Sequence, residues 1–468
     1  MMRRFEGDMI PLDGRSILTA TEMRAAEARA VAGGATIESL MARAGCEVAA
    51  AVRRLAARSE VLVLCGPGNN GGDGYVAATA LADGGLPVRI AAAGEPRTAA
   101  ARNARAGWSG PVEAIADAEP APILVDALFG TGLTRPLDDT LVAHLRRLTD
   151  RARLSIAIDL PSGVATDDGA CLSDVPVFDL VLALGAVKPS HLLQPAASRA
   201  RVMRIFDIGV EARSDVRVLD KPMLSPPPSD AHKFSRGMVA IVAGNMPGAS
   251  ALAAVAAARS GAGYVLLIGG ATDRLPHAIV RRRYSAESLA DPRIGALVIG
   301  PGLGRDELAR DRLGVALASR HGLVIDGDAL RLLDLDHLRR REVPAILTPH
   351  AGEFDALFGT GQGSKIDRAR AAALRSGATI VFKGPDTVIA DPSGAMRVAS
   401  GGSNWLSTAG TGDVLAGIIA ARLASGANPL DAAAAGVWVH SEAARLLGPA
   451  FIADDHAAAV PRALSQCL

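Results

Sequence analysis

Ser407-Thr408-Ala409-Gly410-Thr411-Gly412-Asp413 stands late in the chain and leads into an apolar run without proline, Val414 to Ala421. Small residues followed by such a run predict a tight loop that opens a buried helix. The first N–H groups of a helix have no partner within the helix, and the helix dipole is positive there, so this loop can bind an anion, most often phosphate. Asp413 either caps the helix or handles a proton beside the anion, and this stretch alone favours neither role.

Length and composition predict a globular protein of two or three domains. The chain has 468 residues, of which 49% are hydrophobic, 21% are charged and only 3% are aromatic. Abundant small side chains suit close helix–sheet packing in α/β proteins. The net charge of +1 offers no attraction to nucleic acid or to an acidic membrane surface, so we expect neither as a partner.

Four scattered cysteines, Cys46, Cys65, Cys171 and Cys467, form no C-x-x-C pair. This pattern favours neither a disulfide framework nor a cysteine metal site, and it fits a reducing cytoplasm. The stretch Met1 to Asp8 carries acids where a signal peptide would need an apolar core. No apolar run approaches the ~18 residues of a membrane span. We therefore expect a cytoplasmic protein.

Apolar runs and polar loops alternate along both halves of the chain. In the first half, runs such as residues 61–65, 123–127 and 154–159 resemble buried strands separated by helices, with a loop at Gly66–Gly74 followed by a helix at Tyr75–Asp83. This order predicts a parallel sheet covered by helices, with its site at the carboxyl ends of the strands. Proline-rich residues 221–230 predict a linker, and a second α/β alternation follows.

The first half carries a glycine-rich motif that has the spacing of a dinucleotide-binding loop but lacks the acidic residue that should accompany it. Gly66, Gly68 and Gly71 have the required spacing, but the next predicted strand ends in Ala91-Ala92-Ala93-Gly94, without the expected acid. The stretch Asn69–Asp73 is also more polar than a phosphate loop requires. It is either a structural turn or a set of amides and carboxylates that ligates a cation or holds a polar substrate.

Asp126 and Asp159 each stand at the end of a predicted strand, and both ends lie at one sheet edge. They are either local caps or a functional pair that transfers a proton or binds a hard cation. Ser162 and the loop Gly130-Thr131-Gly132 would complete the wall of that site.

These motifs resemble the epimerase half of the bifunctional NAD(P)H-hydrate repair enzymes. The resemblance rests on Gly66–Gly74, Asp126–Gly132 and Asp159–Gly163, covers about residues 12–220 and implies a Rossmann-like, doubly wound fold. It implies that a potassium ion is bound by Asn70, Asp126 and Ser162. It also implies that the hydrate contacts Asn69, Asn70, Gly71, Gly72, Asp73, Gly130, Thr131, Gly132, Leu133, Thr134, Arg135, Pro136 and Asp159. Asp159 or Asp126 would handle the proton, and Lys188 receives no role.

The second half combines glycine loops, carboxylates, a lysine and a histidine, which together suit phosphoryl chemistry on a bound nucleotide. Gly300–Gly304, Leu347–His350, Lys383–Thr387 and Ala409–Asp413 resemble the ADP/ATP-dependent NAD(P)H-hydrate dehydratases, which have a ribokinase-like fold. The resemblance covers residues 225–468. It implies that ADP or ATP, with Mg²⁺, is bound by Lys383, Gly384, Pro385, Asp386, Thr387 and Gly412. It further implies that Gly304, His350 and Asp413 face the hydrate.

The implied activity combines an isomerase and a lyase. Asp413 would act as the base that takes the proton from the hydroxyl of the hydrate, so that phosphorylation and elimination restore NAD(P)H. Ala351, Gly327 and the stretch Asn404-Trp405-Leu406 depart from the family's pattern. Two alternatives remain: a ribokinase-like kinase for a small alcohol with a nucleotide-sensing first domain, and a sensor without activity. Small molecules are the expected partners, and the preferred nucleotide and hydrate and any homo-oligomer are left open.

Overall fold

The computed structural model describes residues 12–270, 275–399 and 401–468. The acidic stretch Met1 to Asp8, on which the absence of a signal peptide was predicted, lies outside the described residues. The chain divides between Arg217 and Val218 into two compact units. Among the described residues, no helix combines the length and the apolar character needed to cross a membrane.

The first unit alternates strands and helices along the chain. Its elements are α1 (Ala20–Ala32), α2 (Ile37–Ala56), β1 (Val61–Cys65), α3 (Asn69–Asp83), β2 (Val88–Ala92), α4 (Ala99–Ala106), β3 (Val112–Ala114), β4 (Ile123–Ala127), α5 (Asp139–Arg151), β5 (Leu154–Ile158), β6 (Phe178–Leu184) and β7 (Ala200–Phe206). The strands pair in the order β3-β2-β1-β4-β5-β6-β7, and every pair is parallel.

Buried strands explain this sheet. Every residue of β1, β4 and β5 is buried, as expected when helices cover both faces of a parallel sheet. The strand order reverses between β1 and β4, which opens a crevice at their carboxyl ends. The predicted doubly wound sheet is therefore confirmed, and it directs the loops after β1, β4 and β5 to one edge.

The prediction of a loop over Gly66–Gly74 is partly wrong. Helix α3 begins at Asn69 rather than at Tyr75, so the polar residues form its first turns. A Cβ atom on Gly71 would lie 1.9 Å from the carbonyl oxygen of Gly66. The glycines thus allow the helix start to approach the end of β1, which sequence periodicity could not reveal because glycine is a poor helix former.

The second unit contains another α/β alternation. Its elements are β8 (Val216–Val218), which contains the point of division, β9 (Met238–Val242), α6 (Pro247–Arg259), β10 (Tyr264–Ile268), β11 (Ile279–Arg282), β12 (Ile294–Ile299), α7 (Glu307–Ala318), β13 (Gly322–Ile325), α8 (Asp328–Leu332), α9 (Leu335–Arg339), β14 (Ala345–Leu347), α10 (Ala351–Phe358), α11 (Lys365–Ser376), β15 (Thr379–Phe382), β16 (Val388–Ala390), β17 (Met396–Val398), α12 (Thr411–Ala424), α13 (Pro429–Leu447) and α14 (Ala453–Leu464). The strand order is β11-β10-β9-β12-β13-β14-β15-β16-β17-β8.

The second sheet is parallel from β11 to β15 and antiparallel from β15 to β17. Its order reverses between β9 and β12, so the loops after β9, β12, β13, β14 and β15 meet at one edge. Helix α12 begins at Thr411, after Gly410 in the left-handed conformation with φ of 90°. Ten residues of α12 are buried, which confirms the predicted buried helix behind the glycine loop.

Candidate active sites

A cavity of about 740 Å³ lies in the first unit between the helices α1 and α2 and the ends of β4 and β5. Eight of the residues predicted to contact a substrate line it: Asn69, Asn70, Asp73, Gly130, Thr131, Gly132, Leu133 and Asp159. Its remaining wall includes apolar side chains of α1 and α2, such as Met23 and Leu40. An apolar cavity with a few convergent polar groups has the character of a small-molecule site.

Five predicted residues do not join that wall. Gly71 and Gly72 are buried in α3, where a Cβ on Gly72 would meet the side chain of Met41 at 2.5 Å. Thr134, Arg135 and Pro136 are exposed on the loop after β4 and lie outside the cavity lining. The structure thus gives the two glycines a packing role, and it brings only the first part of the Gly130–Pro136 loop to the cavity.

Asp159 lies in the cavity wall with an unusual backbone and a strong partner. Its backbone φ is 64°, a value that residues other than glycine rarely adopt. One carboxylate oxygen accepts from Lys188 Nζ at 2.6 Å, and the other accepts from the Thr131 hydroxyl at 2.7 Å. Burial opposes ionisation, but the charge and hydrogen bond of Lys188 outweigh it and lower the pKa of Asp159 to about 2. Asp159 is therefore an anion at neutral pH.

Lys188 lines this cavity, although the sequence analysis assigned it no role. Its side chain is buried, and its ammonium also donates to the carbonyl of Leu184 at 2.6 Å. The sequence signal was weak, because a lysine before a proline in a loop has the composition of an exposed turn. His191 Nδ1 accepts from Lys188 N at 2.9 Å, so its Nε2 donates to the backbone oxygen of Asp159 at 2.7 Å and also supports this position.

Asp126 is fully buried but does not line the cavity. Its Oδ1 accepts from the Ser162 hydroxyl at 2.7 Å and from Leu128 N at 3.1 Å, and its Oδ2 accepts from Ser162 N at 2.9 Å. These neutral donors do not fully offset burial, which raises the pKa of Asp126 to about 6. Among the described residues, no lysine or arginine lies within ion-pair distance of this carboxylate.

The predicted cation ligands fit a hard monovalent ion in their chemistry. Asp126 and Ser162 are in direct contact and both supply oxygen, the ligand type that such ions prefer. The amide nitrogen of Asn70 is buried and has no hydrogen-bond partner in the described part of the chain. A cation bound here would neutralise the buried Asp126, whose location outside the cavity makes it unsuited to act as the base on a substrate.

Two further acids line the cavity, and both hold their protons more tightly than ordinary carboxyl groups. Burial and the negative charges of Asp159 and Glu27 raise the pKa of Asp73 well above its usual range. Burial and the charge of Asp159 also raise the pKa of Glu27. Glu27 lies on α1, outside every sequence motif, so nothing in the pattern of the sequence singled it out.

In the second unit, the first turn of α12 faces a buried network of charges. Lys383 Nζ donates to Asp326 Oδ1 at 2.8 Å and lies 4.0 Å from Glu353 Oε2. Thr348 donates to the same oxygen of Asp326 at 2.8 Å. A Cβ placed on Gly412 would lie 3.3 Å from Lys383 Nζ, so the lysine approaches the start of the helix. The loops after β13, β14 and β15 thus converge on the anion loop.

Asp413 titrates near neutral pH in this setting. Burial and the carboxylates of Asp326 and Glu353 raise its pKa to about 7, while Lys383 acts in the opposite direction. Burial would lower the pKa of Lys383, but Asp326 and Glu353 outweigh burial and raise it. A carboxyl group with a pKa near 7 suits proton transfer, because it is both available as a base and strong enough to take a proton. The first turn of α12, from Thr411 to Asp413, supplies the neighbouring N–H groups.

His350 and Gly304 lie at the same sheet edge with local bonding of their own. His350 caps α10, where its Nδ1 accepts from the N–H groups of Gly352 and Glu353 at 3.0 and 3.3 Å. Because Nδ1 accepts, the ring proton is on Nε2, which lies on the exposed edge of the ring, 3.5 Å from Glu353 Oε1. Gly304 donates through its N–H to Asp328 Oδ2 at 3.0 Å.

Only part of the predicted nucleotide-binding segment is exposed and able to contact a nucleotide. Gly384 and Pro385 are exposed, and the Thr387 hydroxyl donates to the carbonyl of Gly384 at 2.9 Å. Asp386 is buried and pairs with Lys365 at 2.6 Å, which makes it a support of the loop. The Lys383 side chain is directed to Asp326 and the start of α12. Sequence reasoning missed Lys365, since nothing local distinguishes it from a helix-surface lysine.

Comparison with known proteins finds a matching family for each of the two units. Residues 239–464 match the family described as NAD(P)H-hydrate dehydratase, and residues 37–190 match the family described as YjeF-related protein N-terminus. Two bifunctional NAD(P)H-hydrate repair enzymes are similar over almost the whole chain. The protein from Gloeobacter violaceus is 35% identical over 92% of this chain and 93% of its own length. The protein from Escherichia coli is 32% identical over 89% of this chain and 87% of its own length.

A solved structure is also similar to part of the chain. It is the ADP/ATP-dependent NAD(P)H-hydrate dehydratase from Bacillus subtilis, co-crystallized with ATP/Mg²⁺. It is 28% identical, covers 53% of this chain and 95% of its own length, and has a TM-score of 0.46.

Proposed function

This chain belongs to the family of bifunctional NAD(P)H-hydrate repair enzymes, and from that premise we propose the chemistry of its two sites. The first unit interconverts the R and S forms of hydrated NADH and NADPH. The second unit dehydrates the S form to NAD(P)H with ADP or ATP. The observation that carries the assignment of the second site is the position of Asp413 at the N-terminus of α12, beside Lys383. The pKa of Asp413 is raised there to about 7.

The first turn of α12 supplies the N–H groups that would hold the phosphate to be transferred. We propose that Gly412 and the exposed Gly384 and Pro385 border the nucleotide, with Mg²⁺ as the counter-ion of its phosphates. Lys383 lies at the helix start, where its charge offsets the negative charge that develops during transfer. Asp386 contributes by fixing this loop through Lys365.

Asp413 then takes the proton from the hydroxyl of the hydrate as that oxygen attacks the terminal phosphorus. The bond from this phosphorus to its bridging oxygen breaks, which leaves AMP from ADP or ADP from ATP. The new phosphate ester is a good leaving group, so its C–O bond breaks and phosphate departs, while the adjacent ring carbon gives up a proton to the departing phosphate and the C–H electrons form the ring double bond. The ring edge of His350 and the backbone at Gly304 are proposed to face the hydrate.

In the first unit, we propose that the cavity holds the hydrated nicotinamide ring. The wall that contacts the ring consists of Asn69, Asn70, Asp73, the Gly130–Leu133 loop and Asp159. Asp159, held as an anion by Lys188, favours a positively charged ring in the transition state. We propose that K⁺ is held by Asn70, Asp126 and Ser162, where it would neutralise the buried carboxylate. The fit rests on the Asp126–Ser162 contact and on the absence of another cation near Asp126 among the described residues.

A coupled measurement tests both activities. Absorbance of NADH at its characteristic band is followed after a mixture of R- and S-hydrates is supplied with ADP, and separately with ATP. Full recovery from the mixture is expected, because the first unit converts R into S. Recovery that stops at the S fraction would contradict the epimerase. A stable phosphorylated product without NADH would instead identify a kinase, and nucleotide binding without turnover would identify a sensor.

A further inference from the structure

Glu27 is a carboxylic acid in a helical wall whose other cavity-lining residues, apart from Arg24, are apolar. It lines the epimerase cavity from α1, one helical turn from Met23 and one from Val31, which line the same cavity. Residues four apart share a face of a helix. The neighbouring wall from α2 consists of the apolar side chains of Ile37, Leu40, Met41 and Ala44. A half-buried acid in such a wall loses hydration, so its presence needs a reason other than packing.

Within the described residues, Glu27 has no hydrogen bond or ion pair that would explain its position structurally. The charged groups that face it are Arg24 on its own helix, Asp73 on α3, Asp159 after β5, and Lys188. Lys188 is already bound to Asp159, and the Arg24 guanidinium donates to the Thr21 hydroxyl at 3.1 Å. The cavity lining therefore contains three carboxyl groups, Glu27, Asp73 and Asp159, and two cationic side chains, Arg24 and Lys188, so the carboxyl groups are in surplus by one.

Such a surplus is relieved by a proton. Two carboxyl groups that share a site cannot both ionise easily, so one of them keeps its proton at neutral pH. Asp159 is the member held as an anion by Lys188, which leaves Glu27 and Asp73 as the pair that holds the proton. One protonated and one ionised carboxyl group in a single cavity form an acid and a base.

We propose that Glu27 is a second proton-transfer residue of the epimerase cavity and acts with Asp73 on the hydroxyl of the hydrate. The inference rests on the proposed epimerase function of the first unit and adds a catalytic residue to it. Asp73 belongs to the polar start of α3, whereas Glu27 comes from α1, so the acid and the base are supplied by different elements of the fold.

The step balances without an added reagent. The hydroxyl of the hydrate is on the ring carbon bonded to the ring nitrogen. The protonated carboxyl group gives its proton to this hydroxyl, the C–O bond breaks, and water leaves. The lone pair of the nitrogen forms a C=N bond, and the resulting cation is stabilised by the Asp159 carboxylate. Water then adds to the opposite face of the carbon, the C=N electrons return to nitrogen, and the other carboxylate takes the proton from that water.

Glu27→Gln tests this role because it removes the acid while keeping the size of the side chain. Epimerisation of pure R-hydrate is followed by chromatography without nucleotide, and dehydration of pure S-hydrate is measured in the same preparation. Loss of a general acid or base is expected to lower the epimerisation kcat by about 100-fold or more. KM and dehydration stay near their wild-type values. Glu47→Gln is the matched control, since Glu47 is exposed on α2 and lies outside the cavity lining.

An isotope experiment on the wild-type protein keeps the proposal testable even if Glu27→Gln folds poorly. In water enriched in ¹⁸O, each inversion should place a solvent oxygen on the hydrate, at a rate above that of a protein-free sample. Inversion without incorporation of ¹⁸O would overturn the departure of the hydroxyl and with it the role of Glu27. A Glu27→Gln rate equal to that of wild type would also overturn it. If the wild-type protein does not interconvert the hydrates at all, the proposed function itself fails.

Discussion

The ammonium of Lys188 lies 2.6 Å from Oδ1 of Asp159, and both side chains are almost completely enclosed by the first unit. Removing one partner of a buried ion pair leaves the other charge without compensation. Asp159 has a left-handed backbone conformation and lies at the edge of the cavity. The pair therefore links the stability of the first unit to the electrostatics of its site.

Lys188→Met is expected to lower the free energy of unfolding of the first unit by about 3–5 kcal/mol. In denaturant unfolding of the full chain, the transition of the first unit should move to a lower denaturant concentration. Arg201→Met is the control, because Arg201 is exposed and lies 3.5 Å from Asp179, so that loss of this pair should cost about 1 kcal/mol or less. The double variant Lys188→Met/Asp159→Asn should recover part of the loss, and no recovery would contradict the pairing argument.

The same pair predicts the acid sensitivity of the first unit. The pKa of Asp159 is lowered to about 2 in the folded protein, below the ~3.9 of an unfolded aspartate. Its contribution to stability is therefore fully present above pH ~4 and is lost as the pH falls toward 2. In Lys188→Met this part of the pH dependence should shrink, as measured by unfolding at a series of pH values between ~2 and ~5. An unchanged acid profile would mean that Lys188 is not the cause of the shift.

Asp413→Asn is expected to abolish dehydration while nucleotide binding stays largely intact. The variant loses the base, but the N–H groups at the start of α12 remain. Dehydration of pure S-hydrate and calorimetric binding of ADP would be compared with Asp454→Asn, an exposed aspartate in the first turn of α14. Turnover near the wild-type rate in Asp413→Asn would show that another group acts as the base.

The dehydration rate should depend on the ionisation of Asp413. Its raised pKa of about 7 means that kcat/KM rises with pH and levels off once the carboxyl group has lost its proton. Lys383 lowers the pKa of Asp413, so Lys383→Met should move the midpoint of this profile to higher pH, in addition to reducing the rate. If the midpoint does not move, Asp413 is not the group whose ionisation sets the pH dependence of the rate.

Epimerisation is expected to require K⁺, while dehydration of S-hydrate does not. Asp126→Asn should raise the K⁺ concentration for half-maximal epimerisation by more than about tenfold, since it removes the charge that favours the ion. Asp150→Asn, an exposed change on α5, should leave that concentration unchanged. Asn70→Ala should likewise slow epimerisation only. If either Asp126→Asn or Asn70→Ala also slowed dehydration of S-hydrate, the two activities would not be independent.

Local signals were sufficient for much of the architecture. The continuous apolar runs at β1 and β4 predicted buried strands, and the small residues before Val414 predicted the loop that opens the buried helix α12. The start of α3 was misplaced, because its glycines are selected by close packing against Gly66 rather than by helix propensity. Helix propensity is a preference of the residue itself, whereas the close approaches of Gly71 to the Gly66 carbonyl and of Gly72 to the Met41 side chain arise only in the packed structure.

By itself, the sequence determined the two α/β alternations and the residues at their strand ends, because periodicity and turn chemistry are properties of neighbouring residues. It also marked the glycine loop at Asp413 as an anion site. Only the tertiary structure decided how those residues are charged and which of them meet. Burial beside Asp326 and Glu353 raises the pKa of Asp413, and Lys188 reaches Asp159 from 29 residues away. Burial and distant charges depend on the packed fold, so no local pattern contains them.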